Sequence, residues 1–302
     1  MRPMAVTRKV AALVAATLVA CGGTSASTRD RGGETEVDAK DASKAARGLI
    51  QEIYGDLRRG DVSGVQSLVS PDVFVVGPGA PDVFSTRSDA VVALGSVLRS
   101  GDRHRITSRA LKVSAAPGGH SAWASDALDV DGVTYSLTSV LVESDGLWNV
   151  VAVHVGRTLS GQQLDARPPA RADLPGGVGK GAGEPLKLYR AGVAAPERFV
   201  EQLGGGPDVL VLGAGARDVV RGAKLVKKLW KKRLAAQPKM ILDGDPRADV
   251  TPDGSLAWVF ANVDVRVQGG AAEPYRSLVI YEREDGGWKL IAMHDSVAFG
   301  NK

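Results

Sequence analysis

The chain has 302 residues and a single cysteine, Cys21, so no intramolecular disulfide supports it, and its length suits one or two domains of ordinary size. Lysine and arginine outnumber aspartate and glutamate by 38 to 34, yet Arg2, Arg8 and Lys9 stand among the first twenty residues with no acid beside them. The remainder carries only +1, which removes the electrostatic ground for a nucleic-acid partner. No run beyond the leader reaches the roughly 18–20 apolar residues of a membrane-spanning helix.

In chain order, basic residues precede a short apolar run, Val10 to Val19, and small residues follow it. That pattern predicts an export signal over residues 1–20. Leu18-Val19-Ala20-Cys21, which closes it, resembles the lipobox of bacterial lipoproteins. The resemblance implies cleavage before Cys21, acylation of its thiol by palmitate-like chains, and anchoring in membrane lipid of the bacterial cell envelope. Gly22 at the next position resembles lipoproteins sent to the outer membrane, with the body facing the periplasm. The competing reading is a free cysteine left by an ordinary signal peptide.

Residues 21–41 are small and polar and predict a disordered tether that holds the body about 25 Å from the membrane. A first domain follows over 42–157, a Pro/Gly-rich linker over 158–184, and a second domain over 185–299. In the first, Ala46, Leu49, Ile50, Ile53 and Leu57 recur at helical spacing up to Arg59-Gly60-Asp61. A short helix, a strand through Val73–Gly77 and a helix from about Arg87 to Arg99 come next. Four strands complete the domain, divided at Pro117-Gly118-Gly119, Asp131-Gly132 and Asp145-Gly146, where Asp-Gly signals hairpins. The second domain repeats the order with breaks at Pro252-Asp253-Gly254, Gly269-Gly270 and Asp285-Gly286. Its leading helix, interrupted by Gly192 and Pro196, is expected to be shortened.

The halves read as copies. Tyr135–His154 and Tyr275–His294 align without a gap, with six of twenty positions identical, including Asp145/Asp285, Trp148/Trp288 and His154/His294. Ala122-Trp123 matches Ala257-Trp258, Asp129-Val130 matches Asp264-Val265, and Pro71–Gly77 matches Pro207–Gly213. Three blocks in one order indicate an internal duplication. Helices followed by an antiparallel meander give an α+β domain with helices on one sheet face. The Arg-Gly-Asp helix end, the Pro-Asp-Val-Phe-Val-Val-Gly strand, Thr86-Arg87-Ser88-Asp89, Ala-Trp and the terminal Trp-x-x-x-x-x-His resemble a SnoaL-like domain. That family belongs to the nuclear transport factor 2-like superfamily of cone-shaped α+β folds. The resemblance implies a tandem duplication of a curved sheet wrapped around helices, each copy with a conical cavity.

Candidate pocket residues come in pairs. Alternation puts His154 on the strand face of Trp148, Val150 and Ala152, and His294 on that of Trp288, Leu290 and Ala292. Each is read either as an acid, base or ligand contact at a cavity mouth or as a structural tie for the last strand. Asp129 and Asp264, facing with Trp123 and Trp258, are read either as general bases or as solvated hairpin-rim residues. Tyr135 and Tyr275 are loose counterparts of an oxyanion-stabilising tyrosine, and Asn262 faces with Trp258. No metal-ligand spacing exists, so no metal and no cofactor are expected. Glycines at 77, 79, 213 and 215 give only a weak phosphate-loop signal. Lys224, Lys227, Lys228, Lys231, Lys232 and Arg233 form the basic face of an amphipathic helix, either core-docked with a solvated face or resting on anionic lipid.

These residues favour a membrane-anchored, non-catalytic envelope module that binds a small apolar or amphipathic ligand or a protein partner. Its sheet faces pair within the chain as a pseudo-dimer or between chains as a homodimer. Two other readings stay open. One is an isomerase, cyclase or hydrolase using a cavity histidine with a carboxylate, the second copy being preferred because Asn262 and Asp264 share a face that His294 approaches. The other is a structural envelope protein with filled cones.

Overall fold

The computed structural model describes residues 39–98, 103–160, 170–171, 173–215, 218–267 and 270–299. The expected signal peptide, Cys21 and most of the tether lie outside the described residues, as does part of the linker. Among the described residues no helix is long and apolar enough to cross a membrane.

Helix α1 (Ala39–Arg59) buries Ala42, Ala46, Leu49, Ile50, Ile53 and Leu57 along one face. It begins three residues inside the expected tether. Gly60 ends it at φ 70°, the left-handed turn in which glycine is favoured. Asp61 caps the short α2 (Val62–Ser67) by accepting from the Gly64 amide at 2.8 Å. Then come β1 (Val69–Val76), β2 (Val83–Phe84), α3 (Arg87–Leu98), β3 (Ile106–Ser108), β4 (Lys112–Ala115), β5 (Ser121–Val130), β6 (Val133–Ser144) and β7 (Leu147–Arg157). Asp131-Gly132 and Asp145-Gly146 adopt positive φ at both positions, the mirror-image turn that suits twisted hairpins.

The second half has β8 (Gly177–Val178), α4 (Gly183–Ala194), α5 (Glu197–Gln202), β9 (Leu210–Leu212), β10 (Val219–Arg221), α6 (Ala223–Ala235), β11 (Lys239–Val250), β12 (Leu256–Arg266), β13 (Ala272–Glu284) and β14 (Gly287–Ser296). Its leading helix is broken at Pro196, which has no amide proton to continue the ladder. Gly192 is required there, because a Cβ would stand 2.4 Å from the Phe199 ring. The linker is more than a connector: β8 pairs parallel with β11, closing the edge of the second sheet.

Each half forms a 7-stranded sheet: β2-β1-β7-β6-β5-β3 with β4 also on β5, and β10-β9-β14-β13-β12-β11-β8. The central meanders are antiparallel, but β1 and β9 join them in parallel. The duplication extends to register: Val76 pairs with His154 as Leu212 pairs with His294. Even the irregularities repeat, between Val140 and Leu141 in one sheet and between Ile280 and Tyr281 in the other.

That repeated bulge corrects the expected alternation. Leu141 pairs with Val150 and Val140 with Ala152, so Val151 is the extra residue; Ile291 is its counterpart. A bulge of one residue sends the following side chains to the other face. Trp148 and Val150 therefore pack inside the first cone with α1, while Ala152 and His154 point outward. Trp288 and Leu290 are likewise inside the second cone, with Ala292 and His294 outside.

The outward faces pack on each other. Phe74, Val76, Trp123, Val140 and Ala152 of the first half share an apolar core with Leu210, Trp258, Phe260, Leu278 and Ile280 of the second. Chain exits cross the seam reciprocally: the Leu159 amide donates to the Ala214 carbonyl at 2.9 Å, and the Ala80 amide donates to the Phe299 carbonyl at 2.9 Å. The glycine loops at 77–79 and 213–215 are the receivers of these exits. Asp82 and Asp218 fill their concavities by accepting from the Gly79 and Gly215 amides, so the chain's own carboxylates occupy the place a phosphate would take.

Candidate functional site

His154 and His294 meet ring on ring at the centre of the seam, centroids 4.2 Å apart. His154 Nε2 is 2.8 Å from Ser296 Oγ, and His294 Nε2 is 2.8 Å from Ser136 Oγ. Both residues are fully buried. Burial, then His294 and Arg276, hold His154 well below the usual imidazole range. Burial, then the Arg276 guanidinium, pushes His294 down to about 3. Neutral imidazoles shut inside a sheet-on-sheet interface cannot exchange protons with a bound molecule. The bulge therefore carries both histidines away from the expected cavity mouth, and each ring meets a serine side chain of the opposite domain.

The other predicted residues are dispersed. Trp123 and Trp258 belong to the core between the sheets. Asp129 pairs with Arg109 and accepts from the Gly132 amide at 2.9 Å, on the rim of its hairpin. Asp264 accepts from Arg171 Nη2 at 2.8 Å, and four residues along β12 separate it from Phe260, the residue level with Leu278 and His294. Tyr135 is buried inside the first cone, its hydroxyl pushed up to about 12 chiefly by burial. The Tyr275 hydroxyl donates to Glu273 at 2.9 Å, and Asn262 lies half-buried level with Arg276. Among the described residues no group of three His, Cys, Asp or Glu side chains is placed to hold a metal ion. Helix α6 docks Val226 and Trp230 into the second core and leaves its lysines exposed, while Arg233 stands 3.8 Å from Asp295.

An arrangement with chemical potential does exist, in the first domain. Helix α1 aims Tyr54 into the cone, where its hydroxyl donates to Asp126 Oδ2 at 3.1 Å. Asp126 Oδ1 accepts from the Ala110 amide at 2.9 Å, and both side chains are buried. Burial and then the Asp126 charge raise the Tyr54 hydroxyl well above 10. Above this pair opens a mouth of about 630 Å³, lined by Arg47, Gln51, Tyr54, Arg58, Arg109 and Lys112. Arg47 and Arg58 are fixed by donating to the Leu111 and Ile106 carbonyls at 3.2 and 2.8 Å. Four cations and no carboxylate on the lining suit an anionic or amphipathic guest. The sequence did hold a signal: Asp126 is a carboxylate in mid-strand, away from the hairpin rim where Asp129 stands.

The second copy lacks this pair. Tyr189 takes the helix position of Tyr54, but Ala261 replaces Asp126. Rings fill the space instead: Tyr189 lies 6.0 Å from Phe199, and Phe199 5.4 Å from Trp230. The Tyr281 hydroxyl donates to Gln202 Oε1 at 3.1 Å, closing the interior. The Tyr54–Asp126 pair and the mouth above it stand in the first copy, whereas the sequence reading prefers the second.

Fold and site together define a tandem pair of cone-shaped α+β domains packed sheet to sheet. The SnoaL-like domain family model matches residues 47–156 and again 194–300, so the chain belongs to that family. No curated protein matches it. Solved structures to which it is similar include a candidate ketosteroid isomerase from Parabacteroides distasonis, 21% identical, with a TM-score of 0.31 over 37% of this chain and 84% of that one. An NTF2-like protein of unknown function from Pseudomonas putida is 16% identical, with a TM-score of 0.34 over 39% and 87%. A candidate dehydratase of the NTF2-like family from Streptomyces avermitilis is 17% identical, with a TM-score of 0.37 over 40% and 99%.

Proposed function

We propose that this chain is an envelope lipoprotein, held to the membrane through acylated Cys21, whose tandem domains form a non-catalytic binding module for a small amphipathic ligand at the mouth of the first cone. One contrast carries the reading. The histidines that an enzyme would use are enclosed in the interdomain seam, whereas the open mouth presents fixed cations above a buried tyrosine. Mass spectrometry of the protein extracted from membranes should find a co-purifying amphiphile, and Arg47→Gln with Arg58→Gln should release it. Retention of the same molecule by that double variant would move the ligand elsewhere.

The anchor rests on the lipobox resemblance. Cys21→Ser should shift the protein from the membrane fraction to a soluble or uncleaved form, because several acyl chains at ~0.8 kcal/mol per buried methylene make release slow. Wild-type protein found wholly in a detergent-free soluble fraction would remove the anchor.

The Tyr54–Asp126 pair favours a second reading, an enzyme in which the Tyr54 hydroxyl, which lines the mouth and donates to Asp126, passes a proton between a substrate and that carboxylate. Asp126→Asn keeps the size of the group and removes the base. An enzyme should then lose turnover by about 10²–10⁴-fold, whereas a binding module should keep its ligand.

A further inference from the structure

The copies differ along the seam, at Phe74/Leu210 and Ser125/Phe260. On one side Phe74 and Phe260 lie 5.1 Å apart, with Trp258 at 6.1 and 5.6 Å from them and Arg247 over the Phe74 ring at 4.7 Å. Strand register fixes the counterparts on the other side. Phe74 pairs with Ala152 as Leu210 pairs with Ala292, and Lys112 pairs with Ser125 as Arg247 pairs with Phe260. Leu210 and Ser125 thus stand where the first side has two phenyl rings. A groove of about 600 Å³ occupies that place, between β5–β6 of the first domain and β9–β10 of the second.

Its walls are cationic. Arg109, Lys112, Arg157 and Arg221 line it against one carboxylate, Asp126, whose two oxygens are already taken by Tyr54 and the Ala110 amide. Arg109 is paired with Asp129, and Arg221 donates to Ser125 Oγ at 3.0 Å with Asp208 at 3.6 Å. Arg157 lies over the Phe299 ring at 5.6 Å, and among the described residues neither it nor Lys112 has a carboxylate at salt-bridge distance. Leu212, Val133 and Val219 give the groove an apolar side, Val219 being 57% exposed. Pockets of this size enclose drug-sized molecules.

We propose that this interdomain groove is a second site, beside the cone mouth, for a single-headed organic anion with an apolar body. Its head would sit among Lys112, Arg157 and Arg221, and its body along Leu212 and Val219. The site exists only in the tandem, because each domain supplies one wall. It shares with the functional reading above the premise that the chain is a binding module.

The test is calorimetric titration of the full chain carrying Cys21→Ser, without detergent, using dodecanoate, dodecyl phosphate, dodecanol and inorganic phosphate. At least one dodecyl anion should bind, with dodecanol weaker by about tenfold or more, since a charge-assisted contact is lost. Inorganic phosphate alone should not bind, and whichever anion binds more tightly identifies the head group. Val219→Glu puts a like charge at an exposed position and should abolish binding, while Val219→Lys should strengthen it. Ser125→Phe restores the ring of the other side and should fill the groove. Arg47→Gln, whose side chain lines the cone mouth and not the groove, should leave unchanged the binding that Val219→Glu removes. Equal binding of dodecanol and dodecanoate, or dodecanoate affinity unaltered by both Val219→Glu and Ser125→Phe, would overturn the groove. Loss in Arg47→Gln alone would place the anion in the mouth, sparing the proposed function but not this site. Absence of any dodecyl-anion binding would overturn the groove and leave the mouth to its own mass-spectrometric test.

Discussion

Acidification from pH 6.5 to 5 should remove about 1.6 kcal/mol of stability through His294, with a further loss through His154. Both are held neutral in the folded chain, His294 with a pKa of about 3 and His154 well below the ordinary 6.5. In the unfolded chain each takes up a proton near pH 6.5, so below that value unfolding binds protons that the seam refuses. The contribution is fully present above pH 6.5 and declines at about 1.4 kcal/mol per unit and per histidine until the folded pKa is reached. Glu282 opposes this: burial raises it to about 7, so its protonation adds stability as pH falls through the same window. The decisive comparison is therefore between the wild type and His154→Gln/His294→Gln. Glutamine can keep a hydrogen bond to Ser296 or Ser136 without a titrating ring. Urea unfolding should show the acid limb only in the wild type, with the variant less stable at pH 7 by about 1–3 kcal/mol per site. Identical pH profiles would mean that the two histidines titrate freely. A turnover that depends on His294 would overturn both the seam assignment and the binding-module reading.

Much of this architecture is legible in the sequence alone. Hairpins announced themselves through Asp-Gly, and the duplication through three ordered blocks, because turn chemistry and repeated sequence are local signals. The bulges at Val151 and Ile291 were not legible. Their neighbours are apolar on both faces, so a one-residue slip leaves no break in the hydrophobic pattern, yet it carries both histidines out of the cones. Tyr54 was hidden for a similar reason: an aromatic on the buried face of an amphipathic helix looks like core, and its significance depends on Asp126 standing opposite. The linker was read from composition alone, which cannot show that Gly177 and Val178 pair with Arg247 and Ala248. Ser125/Phe260 and Asp126/Ala261 were visible as differences between copies. Only the packing shows that the first opens a groove and the second supplies an acid.

Dividing the chain should have unequal consequences for the two halves. Residues 39–159 alone would expose Phe74, Val76, Trp123 and Val140, all buried in the intact protein. At about 1.5–3 kcal/mol for each large side chain, the loss is roughly 6–12 kcal/mol, comparable with the whole stability of a domain. The isolated first half should recover it by pairing with a second copy of itself. In that arrangement Ser136 could bond His154 of the other copy, as it bonds His294 in the tandem, and Gly156 would face Gly156 without a clash. The second half has no such escape. In the tandem, Ser296 is tolerated opposite Gly156, where an added Cβ would lie 2.7 Å from the Ser296 Cβ. Two second halves would set Ser296 against Ser296 and bury two Arg276 guanidiniums in one seam. Arg276 is already deprived of solvent, and burial lowers it to about 10. Light scattering after size exclusion should therefore find residues 39–159 as a dimer, and residues 173–299 as a monomer or an aggregate. Equally tight dimers of both halves, or a stable monomer of the first, would show that the seam does not hold the domains by the complementarity described.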